Sequence, residues 1–135
     1  MRYEIWERSV PLELNRDPLW SLRVYRAAFY AGLMGRRDAA WLARRAGYNK
    51  IADQLRRATI SISSNIAEGY SRLGKKDRGR FYEYALGSAR ESRDWYFKAA
   101  DDLGPQMTKA RLALHTSIIK IMIVLVVRSR PPGDS

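Results

Sequence analysis

Nucleophilic chemistry in this chain would have to draw on Ser61, Ser63, Ser64, Ser71 or Ser88, with His115, the only histidine, as the base. A serine nucleophile needs that base within hydrogen-bond reach and a third group to orient it. His115 has no companion at recognisable spacing, and "ALGSARE" (85–91) is not a Gly-x-Ser-x-Gly elbow. The paired carboxylates Glu91/Asp94 and Asp101/Asp102 lie among Arg90, Arg93 and Lys98, the pattern of a solvated helix surface. A dinuclear helical metal site would need repeated Glu-x-x-His motifs, which one histidine cannot supply. The absence of cysteine excludes thiolate ligands, cysteine nucleophiles and disulfides. No phosphate-cradling G-x-x-x-x-G-K-[ST] occurs. We therefore expect no catalytic residue, no metal and no cofactor, and a protein that is not an enzyme.

Binding chemistry is better represented. The net charge is +11 over 135 residues, and it is unevenly spread. Residues 36–57 hold seven basic and two acidic side chains (+5), and residues 72–80 hold five and one (+4), so +9 of the +11 lies in two short segments. Such concentration is the footprint of a polyanion partner, since each phosphate neutralised releases condensed counterions. Nineteen of the 25 basic residues are arginine, whose guanidinium fork suits phosphate. Arg44, Arg45, Lys50, Arg56 and Arg57 are expected to form one phosphate-contacting group for RNA or DNA. Arg72, Lys75, Lys76, Arg78 and Arg80 form the other, near the opposite end of the same predicted helix.

These residues must be carried by helices. Alternation is weak and good helix formers dominate, so the chain reads as all-α in one domain, residues 17–128, between an N-terminal extension (1–16) and a flexible tail (129–135). Asp17-Pro18 starts a helix of about 17–35 that Gly32 and Gly35 are expected to end, and a basic connector with room for a short helix capped by Gly47 follows at 36–48. Ile51, Leu55, Ala58, Ile62 and Ile66 mark a second helix of about 49–72, with no break at "TISIS" for a helix-turn-helix. A third helix of about 75–103 stops at Gly104-Pro105, and a fourth covers about 105–128. The fourth ends in "IIKIMIVLVV" (118–127), apolar on nearly every face. Ten residues at about 1.5 Å each span only half a hydrocarbon core, so no membrane span is expected. Instead Ile118, Ile119, Met122, Ile123 and Val126 are expected to pack on a second copy of the chain. The charged N-terminus lacks a signal-like apolar run, so the expected location is cytoplasmic.

Asn65 and Glu68 stand three apart on the second helix, and Ser64, Gly69 and Ser88 offer partners or close-approach points. These five are read as polar packing between helices. Their segment also carries a resemblance. Leu55–Glu91, above all "SISSNIAEG" (61–69) with the "ALGS" step at 85–88, resembles the core signature of the 23S rRNA intervening-sequence proteins, a four-helix-bundle family. The accessory variability proteins (Avd) of diversity-generating retroelements are similar in fold to that family. "LWSLRVYRAAF" (19–29) is similar to the family's first helix, with Tyr25 in the place of a common Trp, and Ser63 stands where the family commonly has Pro. The likeness covers about 20–128. It implies an antiparallel up-down four-helix bundle, often a ring-shaped homopentamer, without known catalytic residues. In the Avd group it implies a basic surface that binds nucleic acid and a reverse transcriptase. The expected function is a nucleic-acid-binding accessory protein, acting with a reverse transcriptase. The alternative is a protein-interaction scaffold encoded in a ribosomal RNA intervening sequence.

Overall fold

A computed structural model describes residues 2–45 and 47–133, and every regular element among them is helical. Two short helices, α1 (Tyr3–Arg8) and α2 (Leu12–Asn15), and a 3-10 turn (Pro18–Ser21) precede four long helices. These are α3 (Arg23–Ala43), α4 (Asn49–Tyr70), α5 (Lys75–Lys98) and α7 (Pro105–Arg128), with one short turn, α6 (Ala100–Leu103), between the last two. α3 packs on α4, α4 on α5, α5 on α7, and α7 closes back on α3. The links at 44–48 and 71–74 are too short to run the length of a helix, so sequence neighbours are antiparallel.

The first long helix departs from the 17–35 expected. Asp17 does cap, its carboxylate accepting the Leu19 N–H at 2.9 Å, but it starts only the 3-10 turn. Leu22 is extended (ψ 110°), and α3 begins after it. α3 then runs through Gly32 and Gly35 to Ala43, so most of the supposed connector is helix. Those glycines are contact points. A Cβ at Gly35 would lie 2.6 Å from Thr59 Cβ, and one at Gly32 would lie 3.4 Å from the Thr59 carbonyl oxygen. Their missing side chains let α3 and α4 lie close together. The glycine that does turn the chain is Gly47, at φ +83°, where an L side chain is strained. Gly104, at φ +85°, does the same before Pro105. The third helix is also shorter than the 75–103 expected, because the backbone departs from helical geometry at Ala99 (φ −93°, ψ 7°).

Two apolar clusters form the core. Val24, Ala28, Ala31, Ile62, Ile66, Met122 and their neighbours fill one half, and Leu42, Leu55 and Tyr96 centre the other. Each fully buried aliphatic side chain contributes roughly 1.5–3 kcal/mol. The N-terminal helices join through aromatic contacts: Trp6 is buried, stacked on Phe29 at 5.8 Å and tilted against Trp20 at 5.8 Å. At the other end of the chain, Ser129 is packed rather than part of a free tail. It is buried against Gly79, and its hydroxyl donates to the Leu125 carbonyl at 2.8 Å.

α7 corrects the expected subunit contact. Ile118, Ile119, Met122 and Val126 are all buried within the chain's own core, so they are not available to a neighbour. Of the five expected residues only Ile123 is exposed, and it shares the outer surface with Ile121, Val124 and Val127. A run apolar on all sides does not disclose in sequence which side faces inward. By length and composition alone α7 could cross a membrane. In this fold its inner face, including His115, Ile118 and Met122, is fully buried against the other helices.

Candidate nucleic-acid interface

The two basic groups stand at opposite ends of α4, whose 22 residues span about 33 Å. Arg44, Arg45, Lys50, Arg56 and Arg57 are exposed where α3 ends and α4 begins. Arg36 joins them from α3, lining with Asp53 and Arg56 a groove of about 410 Å³. Asp53 is shared by two guanidiniums, Arg56 at 2.9 Å and Arg57 at 3.1 Å, and the Arg56 hydrogen bond foremost holds its carboxyl below the usual value. Arg45 lies 3.6 Å from Asp102 and 3.8 Å over the Trp41 ring.

At the other end, Lys75 and Lys76 open α5, exposed and without an ion pair among the described residues. Arg80 is 3.7 Å from Asp77, and Arg72 is 2.8 Å from Glu68. Exposed pairs of this sort are worth about 0–1 kcal/mol, so they exchange readily for phosphate. Arg78 differs from the expectation: half-buried, it donates to the Arg72 carbonyl at 3.0 Å and holds the turn between α4 and α5. Lys76 and Arg80 line a groove of about 740 Å³ with Arg130, together with the carboxylates of Asp77 and Glu83. Arg130 was hidden in sequence because it follows α7, whose antiparallel return sets it beside the start of α5. Two aromatic rings accompany this group. The Arg72 and Arg80 guanidiniums stand 4.7 and 5.3 Å from the centroid of Phe81, whose ring meets Tyr84 edge to face at 5.7 Å.

The signature residues divide. Ser64 is exposed and donates to the Ile60 carbonyl at 3.3 Å, Asn65 donates to the Ser61 carbonyl at 2.9 Å, and exposed Glu68 pairs with Arg72. None of these three bonds joins two helices, which corrects the expectation for them. The polar link between α4 and α5 is Ser61 donating to Ser88 at 2.6 Å. Gly69 is a close-approach point, since a Cβ there would come within 2.7 Å of the Tyr82 ring.

The main buried polar group was not visible in the sequence. Asp38 of α3 accepts the Tyr96 hydroxyl of α5 at 2.6 Å and the Arg111 Nε of α7 at 2.7 Å, so one carboxylate ties three helices. Burial, then the charge and hydrogen bond of Asp38, hold the Tyr96 phenol well above its ordinary pKa. His115 lies beside Tyr96, ring centroids 5.2 Å apart, with Nδ1 2.8 Å from the Arg111 carbonyl oxygen. A carbonyl only accepts, so Nδ1 carries the proton, while Nε2 is buried without a partner. No serine meets this ring among the hydrogen bonds of the described residues. No group of three or more His, Asp or Glu placed to hold a metal occurs among them either.

A crystal structure of a protein of unknown function from the S23 ribosomal protein family of Bacteroides thetaiotaomicron superposes with a TM-score of 0.72 at 18% identity, covering 76% of this chain and 97% of the other. At that identity the likeness shows the fold alone. No curated protein matches the chain. The sequence pattern of the 23S rRNA-intervening sequence proteins matches residues 44–122, which hold α4, α5, most of α7 and all ten expected phosphate contacts. Neither description names a catalytic activity. With more than half of its length matched, this chain belongs to the 23S rRNA-intervening sequence protein family.

Proposed function

We propose that the protein is a non-enzymatic, cytoplasmic accessory protein that binds RNA or DNA through phosphates. The observation carrying this reading is the convergence of Lys76, Arg80 and Arg130 on one groove, with Lys75, exposed and without an ion pair among the described residues, next to Lys76 in the chain. Contacts to phosphate are insensitive to base sequence and release counterions, so log affinity falls with log salt by about 0.9 per contact on a duplex. Replacing Lys75 and Lys76 together by alanine is expected to make that slope shallower by about 2 and to weaken binding roughly tenfold at low salt. Titration of a labelled duplex between about 50 and 200 mM salt measures both. An unchanged slope, or salt-independent binding by the unaltered protein, would remove the phosphate mechanism.

The assembly proposed is an antiparallel up-down four-helix bundle in a ring-shaped homopentamer. Its support is the circuit of α3, α4, α5 and α7 and the outer apolar surface of α7 at Ile121, Ile123, Val124 and Val127. A second copy covering that surface would remove apolar area from water, and a closed ring would let basic ends of different copies act together. Light scattering should return about five times the 15.6 kDa chain mass, and a monodisperse monomer would refute the assembly. Action with a reverse transcriptase is proposed as the cellular setting, tested by co-purification with a reverse transcriptase encoded beside this gene.

A further inference from the structure

Tyr84 is 51% exposed in the middle of α5, and its ring contact is a perpendicular one with Phe81. It stands one turn beyond Arg80 on the same face of the helix, so a guanidinium and an open aromatic ring are neighbours. One turn further along is Gly87, exposed in mid-helix, where glycine is disfavoured relative to alanine. Gly32, Gly35, Gly69 and Gly79 each have a reason within the chain, because a Cβ there would press on Thr59, Tyr82 or Ser129. Gly87 has none: a Cβ there would meet nothing within 4 Å. Helical side chains lean toward the N-terminus and cover the preceding turn, so any larger residue at 87 would lie over Tyr84. The missing side chain leaves space beside the ring.

We infer that Tyr84 and the space left by Gly87 form a stacking slot for an unpaired nucleobase, with Arg80 and Lys76 holding the adjoining phosphates, so that the preferred ligand is single-stranded. This rests on the phosphate-binding reading above and narrows it. A duplex keeps its base faces stacked inside, whereas a single strand offers both a π-face and phosphates to the same surface. Every base has such a face, so the slot tolerates any sequence.

The test compares a labelled single-stranded RNA lacking self-complementarity with the same strand annealed to its complement, by fluorescence anisotropy at low salt. Tyr84→Ala should weaken single-strand binding roughly tenfold, leave duplex binding within about twofold and keep the salt slope, since no phosphate contact is lost. Tyr84→Phe should retain single-strand affinity, and Gly87→Leu should lower it by covering the ring while leaving Tyr84 itself in place. Circular dichroism checks that these surface variants remain folded. Tyr84→Ala binding the single strand as well as the parent, or losing both ligands equally, would overturn the slot. In either case a slope that still responds to Lys75 and Lys76 would leave the phosphate reading standing. Failure of the unaltered protein to bind either ligand would overturn both.

Discussion

Replacing Asp38 by alanine is expected to destabilise the folded chain by about 3–5 kcal/mol, the cost of removing one partner from a buried ion pair. The carboxylate is 6% exposed and accepts from Tyr96 at 2.6 Å and from Arg111 at 2.7 and 3.4 Å. Without it the Arg111 guanidinium, whose side chain is only 14% exposed, and the buried Tyr96 hydroxyl both lose their acceptor. Tyr96→Phe should cost less, about 1.5–3 kcal/mol, because it deletes a donor to a charged group while Arg111 still neutralises Asp38. Replacing all three together, Asp38→Leu with Tyr96→Phe and Arg111→Met, should recover much of the loss, since no buried polar group is then left unpaired. Urea unfolding at one fixed protein concentration gives each value. A wild-type midpoint for Asp38→Ala would show that the pair contributes nothing. A triple variant no better than the single one would assign the loss to packing instead of the unpaired charge.

The same residues show where the sequence was legible. α4 could be read because Ile51, Leu55, Ile62 and Ile66 form one apolar stripe, and the start of α7 because Gly104-Pro105 is local chemistry. α3 was misread because glycine in sequence has two meanings. It ends a helix by adopting positive φ, or it admits a neighbour by lacking a side chain, and only the position of Thr59 tells Gly35 from Gly47. The break at Ala99 had no signal, alanine being the best helix former. The Asp38 cluster joins positions 58 and 73 residues apart, across helices whose relative placement no local pattern encodes. The basic segments were visible as charge runs, yet Arg130 was not grouped with them, and Arg36, counted in the first segment, was left out of its phosphate-contacting group. Which cations share a groove depends on how the helices return.

His115 alone should lower stability by about 3 kcal/mol as pH falls from about 6.5 to about 4. The ring is fully buried with Nε2 unpartnered, so accepting a proton there would place an N–H and a charge in the core without an acceptor. Burial chiefly, then the positive charges of Arg111 and Arg93, push its pKa down from 6.5 to about 4, against the opposing effects of the Arg111 carbonyl and the Asp38 charge. Above pH 6.5 the ring is neutral in both the folded and the unfolded chain, and its contribution to stability is fully present. Between 6.5 and 4 the unfolded chain binds a proton that the folded chain refuses, so stability drains away as pH falls, and below about 4 the loss is complete. Effects of acid on the rest of the chain are common to a His115→Leu variant. The difference in unfolding free energy between the two proteins therefore isolates the ring. It should favour the variant by about 3 kcal/mol more at pH 4 than at pH 7. Because the chain has one histidine, its imidazole proton resonance reports the same midpoint directly, and a value near 6.5, or parallel stability curves, would refute the buried neutral ring.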